Sequence, residues 1–125
     1  MRKLVVIVED GETIVALEIA LASLNGITLL RFSSGLEAAR FMATPPAELS
    51  ALITDLNLPF FDGFQLVAVV RADPRYRELP IIVLSGDTHR ETPSRLRGMG
   101  VNAFFAKPYS PALVRDTLEA LLYVR

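Results

Sequence analysis

Cysteine is absent, which excludes disulfides, thiolate metal sites and a cysteine nucleophile. His89 is the sole histidine, so the chain cannot build a multi-histidine metal centre. No sign of charge dominates either. Thirteen basic residues face fourteen acidic ones, a formal charge of -1, leaving no electrostatic footprint for nucleic acid or an anionic membrane. Nor does any apolar run approach the roughly 18 residues that span a bilayer. The opening Arg2-Lys3-Leu4-Val5-Val6-Ile7-Val8 looks like the start of a secretion signal. Its apolar run stops after five residues at Glu9-Asp10, short of the roughly 7–15 such signals need. What remains is the expectation of one soluble, cytoplasmic domain spanning 1–125, with 51% hydrophobic residues to build a core.

The most informative stretch is Ala51-Leu52-Ile53-Thr54-Asp55, followed by Leu56-Asn57-Leu58-Pro59-Phe60-Phe61-Asp62-Gly63. A short apolar run ends on a carboxylate and a turn-rich loop, so it reads as a buried strand over 51–54 with Asp55 at its exit. Leu4–Val8, Ile27–Phe32, Ile81–Leu84 and Val101–Ala106 read as the other strands, with 27–32 at an edge because it is more polar. Helices are expected over 13–24 (Ile14, Leu17, Leu21 and Leu24 on one stripe), 34–42, 64–71, 92–99 and 110–122. Ser34 and Glu37 have capping-box spacing, and Thr92-Pro93 and Ser110-Pro111 are cap-plus-proline starts. The first helix is unusually apolar, with Val15, Ile19 and Ala22 off its main stripe. Strands alternating with helices, most strands wholly apolar, indicate an α/β fold with a parallel sheet covered on both faces. Five such units fit the doubly wound order 2-1-3-4-5, flavodoxin-like, with the switch point between strands one and three.

That topology brings Glu9, Asp10, Asp55, Ser85 and Lys107 to one rim. Two like charges 4 Å apart cost about 4 kcal/mol at an effective dielectric of 20, so three carboxylates there need cations or raised pKa values. Lys107 supplies one charge, and a hard divalent cation such as Mg²⁺ would balance the rest through oxygen ligands. An aspartate in such a place can act as a nucleophile toward a phosphoryl group.

Glu9-Asp10, Asp55 through Gly63, Leu84-Ser85-Gly86 and Phe104-Phe105-Ala106-Lys107-Pro108 together resemble the receiver domain of two-component response regulators, of the chemotaxis-regulator kind. Ser85 lies thirty residues past Asp55, and Lys107 twenty-two past Ser85, as in that family. The resemblance implies that Asp55 accepts phosphate from a histidine kinase or a phosphotransfer protein, assisted by Lys107 and Ser85. It implies Mg²⁺ held by Asp10 and Asp55 side chains, the Asn57 carbonyl and, through water, Glu9. Ser85 and Phe104 match the switch pair, and Lys107-Pro108 matches a cis peptide. Such domains catalyse their own phosphorylation and dephosphorylation, turn over no external substrate, and work as monomers or phosphorylation-dependent dimers, without direct contact to nucleic acid or membrane.

Periodicity places Phe104 and Phe105 on opposite faces of their strand without saying which faces which layer. Asn57 and Asp87, two residues past Asp55 and Ser85, would flank the path of a hydrolytic water. Two rivals are weaker. A haloacid-dehalogenase-like hydrolase needs a second aspartate where Asn57 stands, and a pseudo-receiver would not retain Asp10, Asp55 and Lys107. Gly86 after the switch hydroxyl, and Pro93 with Arg90, Arg95 and Arg97 around the fourth helix, depart from the family's usual pattern.

Overall fold

The computed structural model describes residues 2–9, 11 and 14–123. Its strands are β1 (Lys3–Val8), β2 (Ile27–Phe32), β3 (Leu49–Asp55), β4 (Ile81–Ser85) and β5 (Ala103–Ala106). The helices are α1 (Ile14–Ala22), α2 (Gly35–Ala43), α3 (Gly63–Ala72), α4 (Thr92–Gly98) and α5 (Pro111–Leu122), with a 3₁₀ turn at Pro74–Tyr76. All strand pairs are parallel in the order β2-β1-β3-β4-β5. This is the α/β doubly wound arrangement expected, with β2 at an edge.

Alternate residues of the central strands feed two separate cores. Val6 and Val8 of β1, with Leu52, Ile81 and Val83, pack against α2, α3 and α4. Val5 and Ile7, with Ala51, Ile53, Ile82 and Leu84, pack against α1 and α5. A strand buried on both faces needs apolar residues at every position, which is why 4–8, 51–53 and 81–84 lack polar alternation.

Several element ends differ from the sequence expectation, each for a local reason. The helix expected to reach Leu24 stops at Ala22, where Ser23 Oγ donates to the Ala20 carbonyl at 2.7 Å and Gly26 takes φ +77°. Its expected first residue, Thr13, lies outside the described residues. β5 starts at Ala103, not Val101, because Val101 N closes back on Leu96 O and Asn102 Oδ1 accepts from Ile81 N at 2.8 Å. Ser34 and Ser110 cap α2 and α5 as expected, although only the serine half of the Ser34 box forms. Thr92 is not a cap: Glu91 precedes α4 without a side-chain bond, and the Thr92 hydroxyl donates instead to Asp87 Oδ2 at 2.9 Å.

The full capping box is at α3. Asp62 Oδ1 accepts from Gln65 N at 2.9 Å, and Gln65 Oε1 accepts from Asp62 N at 3.0 Å. Gly63 follows with its N–H 2.8 Å from Leu56 O. A Cβ there would meet Asp55 O at 2.6 Å and Leu56 Cα at 2.7 Å. Glycine at 63 therefore lets α3 seat directly against the end of β3. Gly63→Ala is expected to destabilise the fold by about 1–3 kcal/mol through overpacking. Gly98→Ala, whose Cβ meets nothing within 4 Å, should be neutral or stabilise by about 0.4–1 kcal/mol. Urea unfolding of both variants checks the contrast.

Candidate phosphoacceptor site

β1, β3, β4 and β5 all run the same way, so their carboxyl ends share a rim. Glu9 follows β1 directly, Asp55 is the last residue of β3, Ser85 the last of β4, and Lys107 the first after β5. Glu9, Asp55 and Ser85 are 1%, 4% and 0% exposed, depths at which a lone charge would not be tolerated. Lys107 reaches in from the opening. Its Nζ donates to Asp55 Oδ2 at 2.7 Å and lies 3.2 Å from Glu9 Oε2. That second approach lacks hydrogen-bond geometry, and the bond to Glu9 is a long one of 3.5 Å to Oε1. Asp55 Oδ1 accepts from Asn57 N at 3.1 Å. The backbone holds the ammonium in place, since Lys107 N donates to Ser85 O at 2.8 Å. The Lys107-Pro108 peptide is cis, as expected.

One cation shared between two buried carboxylates leaves a deficit of positive charge. Burial, reinforced by the hydrogen bond and charge of Asp55, raises the Glu9 carboxyl above its ordinary range, with Lys107 opposing. Burial alone would lower Lys107, but Asp55 and Glu9 outweigh it and the ammonium is held above its usual value. Glu9 Oε2 is buried and lacks a hydrogen-bond partner among the described residues. An orphaned carboxylate oxygen beside a second carboxylate is a donor set that suits a hard divalent cation, so the residues present fit Mg²⁺. Asp10, the third expected acidic ligand, lies outside the described residues. Asn57 is at the rim and exposed.

The two switch candidates sit in different settings. Ser85 Oγ accepts from Asp87 N at 2.8 Å. Phe104 packs on the α4 side and Phe105 on the α1–α5 side, which settles what period-two spacing left open. Phe104 also lines a cavity of about 340 Å³ with Pro93, Leu96, Arg97, Val101, Asn102 and Ala103.

Asp87 does not face a water path beside Asp55. Its carboxylate accepts from His89 N at 2.8 Å and contacts His89 Nδ1 at 2.6 Å, while its other oxygen takes the Thr92 hydroxyl. These bonds hold the Asp87 carboxyl down at about 2 and raise the exposed His89 imidazole. The side chain thus ties the β4–α4 loop to the first turn of α4. Sequence reading missed this staple, although an aspartate five residues ahead of a threonine at a helix start was its signal. It also passed over Tyr109, whose hydroxyl is buried and, among the described residues, unpartnered.

A family model described as the response regulator receiver domain matches residues 5–119. The chain belongs to the response regulator receiver domain family. As a receiver it is 30% identical over 117 residues to a chemotaxis protein CheY homolog of Campylobacter jejuni, covering 93% of this chain and 89% of that protein. It is 37% identical over 76 residues to chemotaxis protein CheY1 of Helicobacter pylori, and that match spans 61% of each chain. Among solved structures it resembles the receiver domain of the Pseudomonas aeruginosa sensor histidine kinase PA1611, with a TM-score of 0.80 and 25% identity over 98% of both chains. That structure is described with a magnesium ion coordinated in its active-site cleft. Among the described residues of this receiver, no helix is long and apolar enough to cross a membrane.

The raised Glu9 pKa has a definite sign for stability. A carboxyl whose folded pKa exceeds its unfolded value favours the fold when protonated, and that contribution is lost as pH rises through the folded pKa. Glu9→Gln is therefore expected to raise the Tm of the receiver at pH 7 in EDTA. The gain should fade as pH falls through the raised folded pKa and be gone below the ordinary glutamate value of 4.5. Thermal unfolding across pH 3.5–8, a window set by that pKa range, reads the effect.

Proposed function

We propose that this receiver takes a phosphoryl group onto Asp55 from a phosphohistidine of a kinase or phosphotransfer protein, and that the acyl phosphate switches a protein-binding surface. The observation that carries the reading is the Lys107 ammonium 2.7 Å from Asp55 Oδ2 in a buried, acid-rich pocket. In the step, an Asp55 carboxylate oxygen forms the new O–P bond as the donor's N–P bond breaks. The electron pair returns to the imidazole nitrogen. Water later cleaves the acyl phosphate to restore carboxylate and release inorganic phosphate. The chain therefore acts on itself and turns over no external substrate.

Each residue at the rim has a part in this. Asn57 N, bonded to Asp55 Oδ1, orients the carboxylate, and Lys107 offsets the charge of the phosphoryl oxygens. Among the described residues Ser85 Oγ is bonded only as an acceptor, so its proton is available to a phosphoryl oxygen. Turning that hydroxyl would free space on the side where Phe104 packs. Glu9 and Asp55, with Asp10 and the Asn57 carbonyl, would hold Mg²⁺, and when bound it supplies charge neutralisation for the transferred oxygens. The magnesium reported in the PA1611 receiver supports this assignment.

The donor is a helix-bearing protein on this reading. Val15 and Ile19 of α1 are 54% and 69% exposed, an apolar face that packing among the described residues does not use. It lies on the helix that follows Glu9, so a partner seated there can present its histidine to the rim.

Incubation with acetyl phosphate and Mg²⁺, read by mass spectrometry, should give a single phosphate adduct on wild type and none on Asp55→Asn. An adduct on both, or on neither, would overturn the assignment. Phosphotransfer from the cognate kinase to Ile19→Lys, measured relative to labelling by acetyl phosphate, should fall by about tenfold or more if Ile19 is an interface anchor.

A further inference from the structure

The loop that leaves Asp55 closes on itself. Gly63 N donates to Leu56 O at 2.8 Å, and Asn57 N, near the start of the loop, donates to the Asp55 carboxylate at 3.1 Å. Leu58 is buried, and Phe61 packs against the core beneath α2 and α3. Both lie over Gly35, where a Cβ would stand 3.2 Å from Phe61 Cδ2 and 3.4 Å from Leu58 Cδ1. Between these two anchors Phe61 N donates to Pro59 O at 2.7 Å, a bond that closes around Phe60 at φ +67°. That is a γ-turn of the rare, strained kind. It turns the Phe60 ring fully into solvent.

Phenylalanine is costly there on two counts. Glycine or asparagine adopts a positive φ far more readily than a bulky side chain, and an aromatic ring left in water forfeits its apolar burial. Fully exposed, the ring gains no packing within the described fold to offset either cost. The compensation lies in a surface that covers it, and the position of the loop says which. Asp55 is almost wholly buried, and a histidine side chain is short. A protein that delivers a phosphohistidine must therefore press its own surface onto the loops around the carboxylate. The loop that carries Phe60 is bonded to that same carboxylate. A downstream partner reading Ser85 would engage the side on which Phe104 and α4 lie.

We propose that Phe60 is an aromatic anchor for the phosphodonor protein, seated in an apolar pocket of that protein while its phosphohistidine faces Asp55. The proposal rests on the phosphotransfer reading above and deepens it, adding a donor contact on the β3–α3 loop to the one on α1. Phe60 touches none of the reacting atoms; it holds the donor in place. Aromatic side chains buried on association carry a large share of binding energy, and a strained backbone is characteristic of such functional positions.

The test uses the whole chain as wild type, Phe60→Gly, Phe60→Asn and Phe60→Tyr. Two kinds of donor serve as probes: a panel of the organism's own histidine kinases, radiolabelled by autophosphorylation, and acetyl phosphate, which has no protein surface. The kinase that labels wild type fastest is carried forward, and its labelling rate is taken relative to that by acetyl phosphate. This ratio should fall by about tenfold in Phe60→Gly and Phe60→Asn, as for a hot-spot residue, and stay within about twofold of wild type in Phe60→Tyr, which keeps the ring. The loss should appear in the receiver concentration that half-saturates transfer, not in the maximal rate. Thermal unfolding should find Phe60→Gly and Phe60→Asn at least as stable as wild type, since both residues accept the left-handed backbone. An unchanged ratio, a loss confined to the maximal rate, or a lowered Tm in both variants would overturn the proposal while leaving Asp55 as phosphoacceptor. A wild type labelled by acetyl phosphate but by no kinase would overturn the donor reading and this one with it. Labelling by neither would overturn the phosphoacceptor assignment itself.

Discussion

The structure depends on keeping two carboxylates out of water within reach of one ammonium. Glu9 and Asp55 are almost wholly buried, and only Lys107, among the described residues, offers them a full positive charge. A pair of like charges at such depth is tolerable when a cation sits between them, and uncomfortable otherwise. The raised Glu9 carboxyl and its unpartnered oxygen record that discomfort. A site left short of positive charge suits a hard divalent cation, as the proposed function requires.

Scaffold and site are joined by backbone as much as by side chains. Lys107 N bonds to Ser85 O, Leu56 N to Leu84 O, and Glu9 N to Phe32 O, so each strand end is tied to its neighbour. α3 seats against β3 because Gly63 permits it, which keeps the loop after Asp55 short of slack. The β4–α4 loop is held differently, through the Asp87 carboxylate and the hydroxyl of Thr92. That connection runs from the Ser85 hydroxyl to the first turn of α4, past the layer in which Phe104 packs. A change at Ser85 therefore has a physical route to the α4 surface, made of hydrogen bonds and one aromatic ring.

Phe60 stands apart from this economy. It is fully exposed and takes φ +67°, a conformation unusual for a bulky side chain. It follows Pro59, in the loop that leaves Asp55. Nothing within the described fold packs against it.

How far the sequence reached can be argued from particular residues. The central strands β1, β3 and β4 were legible because full burial in a parallel sheet demands nearly uninterrupted apolar runs, and only a few arrangements connect them and two edge strands to alternating helices. The gathering of Glu9, Asp55, Ser85 and Lys107 followed from that topology alone, since all strands point the same way. The boundary at Ala103 was not legible, because Asn102 bonds to Ile81, far back along the chain, and the end at Ala22 turns on a local Ser23–Ala20 bond that periodicity does not report. Which layer Phe104 faces, where the Asp87 carboxylate turns, and the isolation of the Tyr109 hydroxyl were decided only in three dimensions. Periodicity reports which face a residue shares with its neighbours; the partner waiting on that face is supplied by another part of the chain.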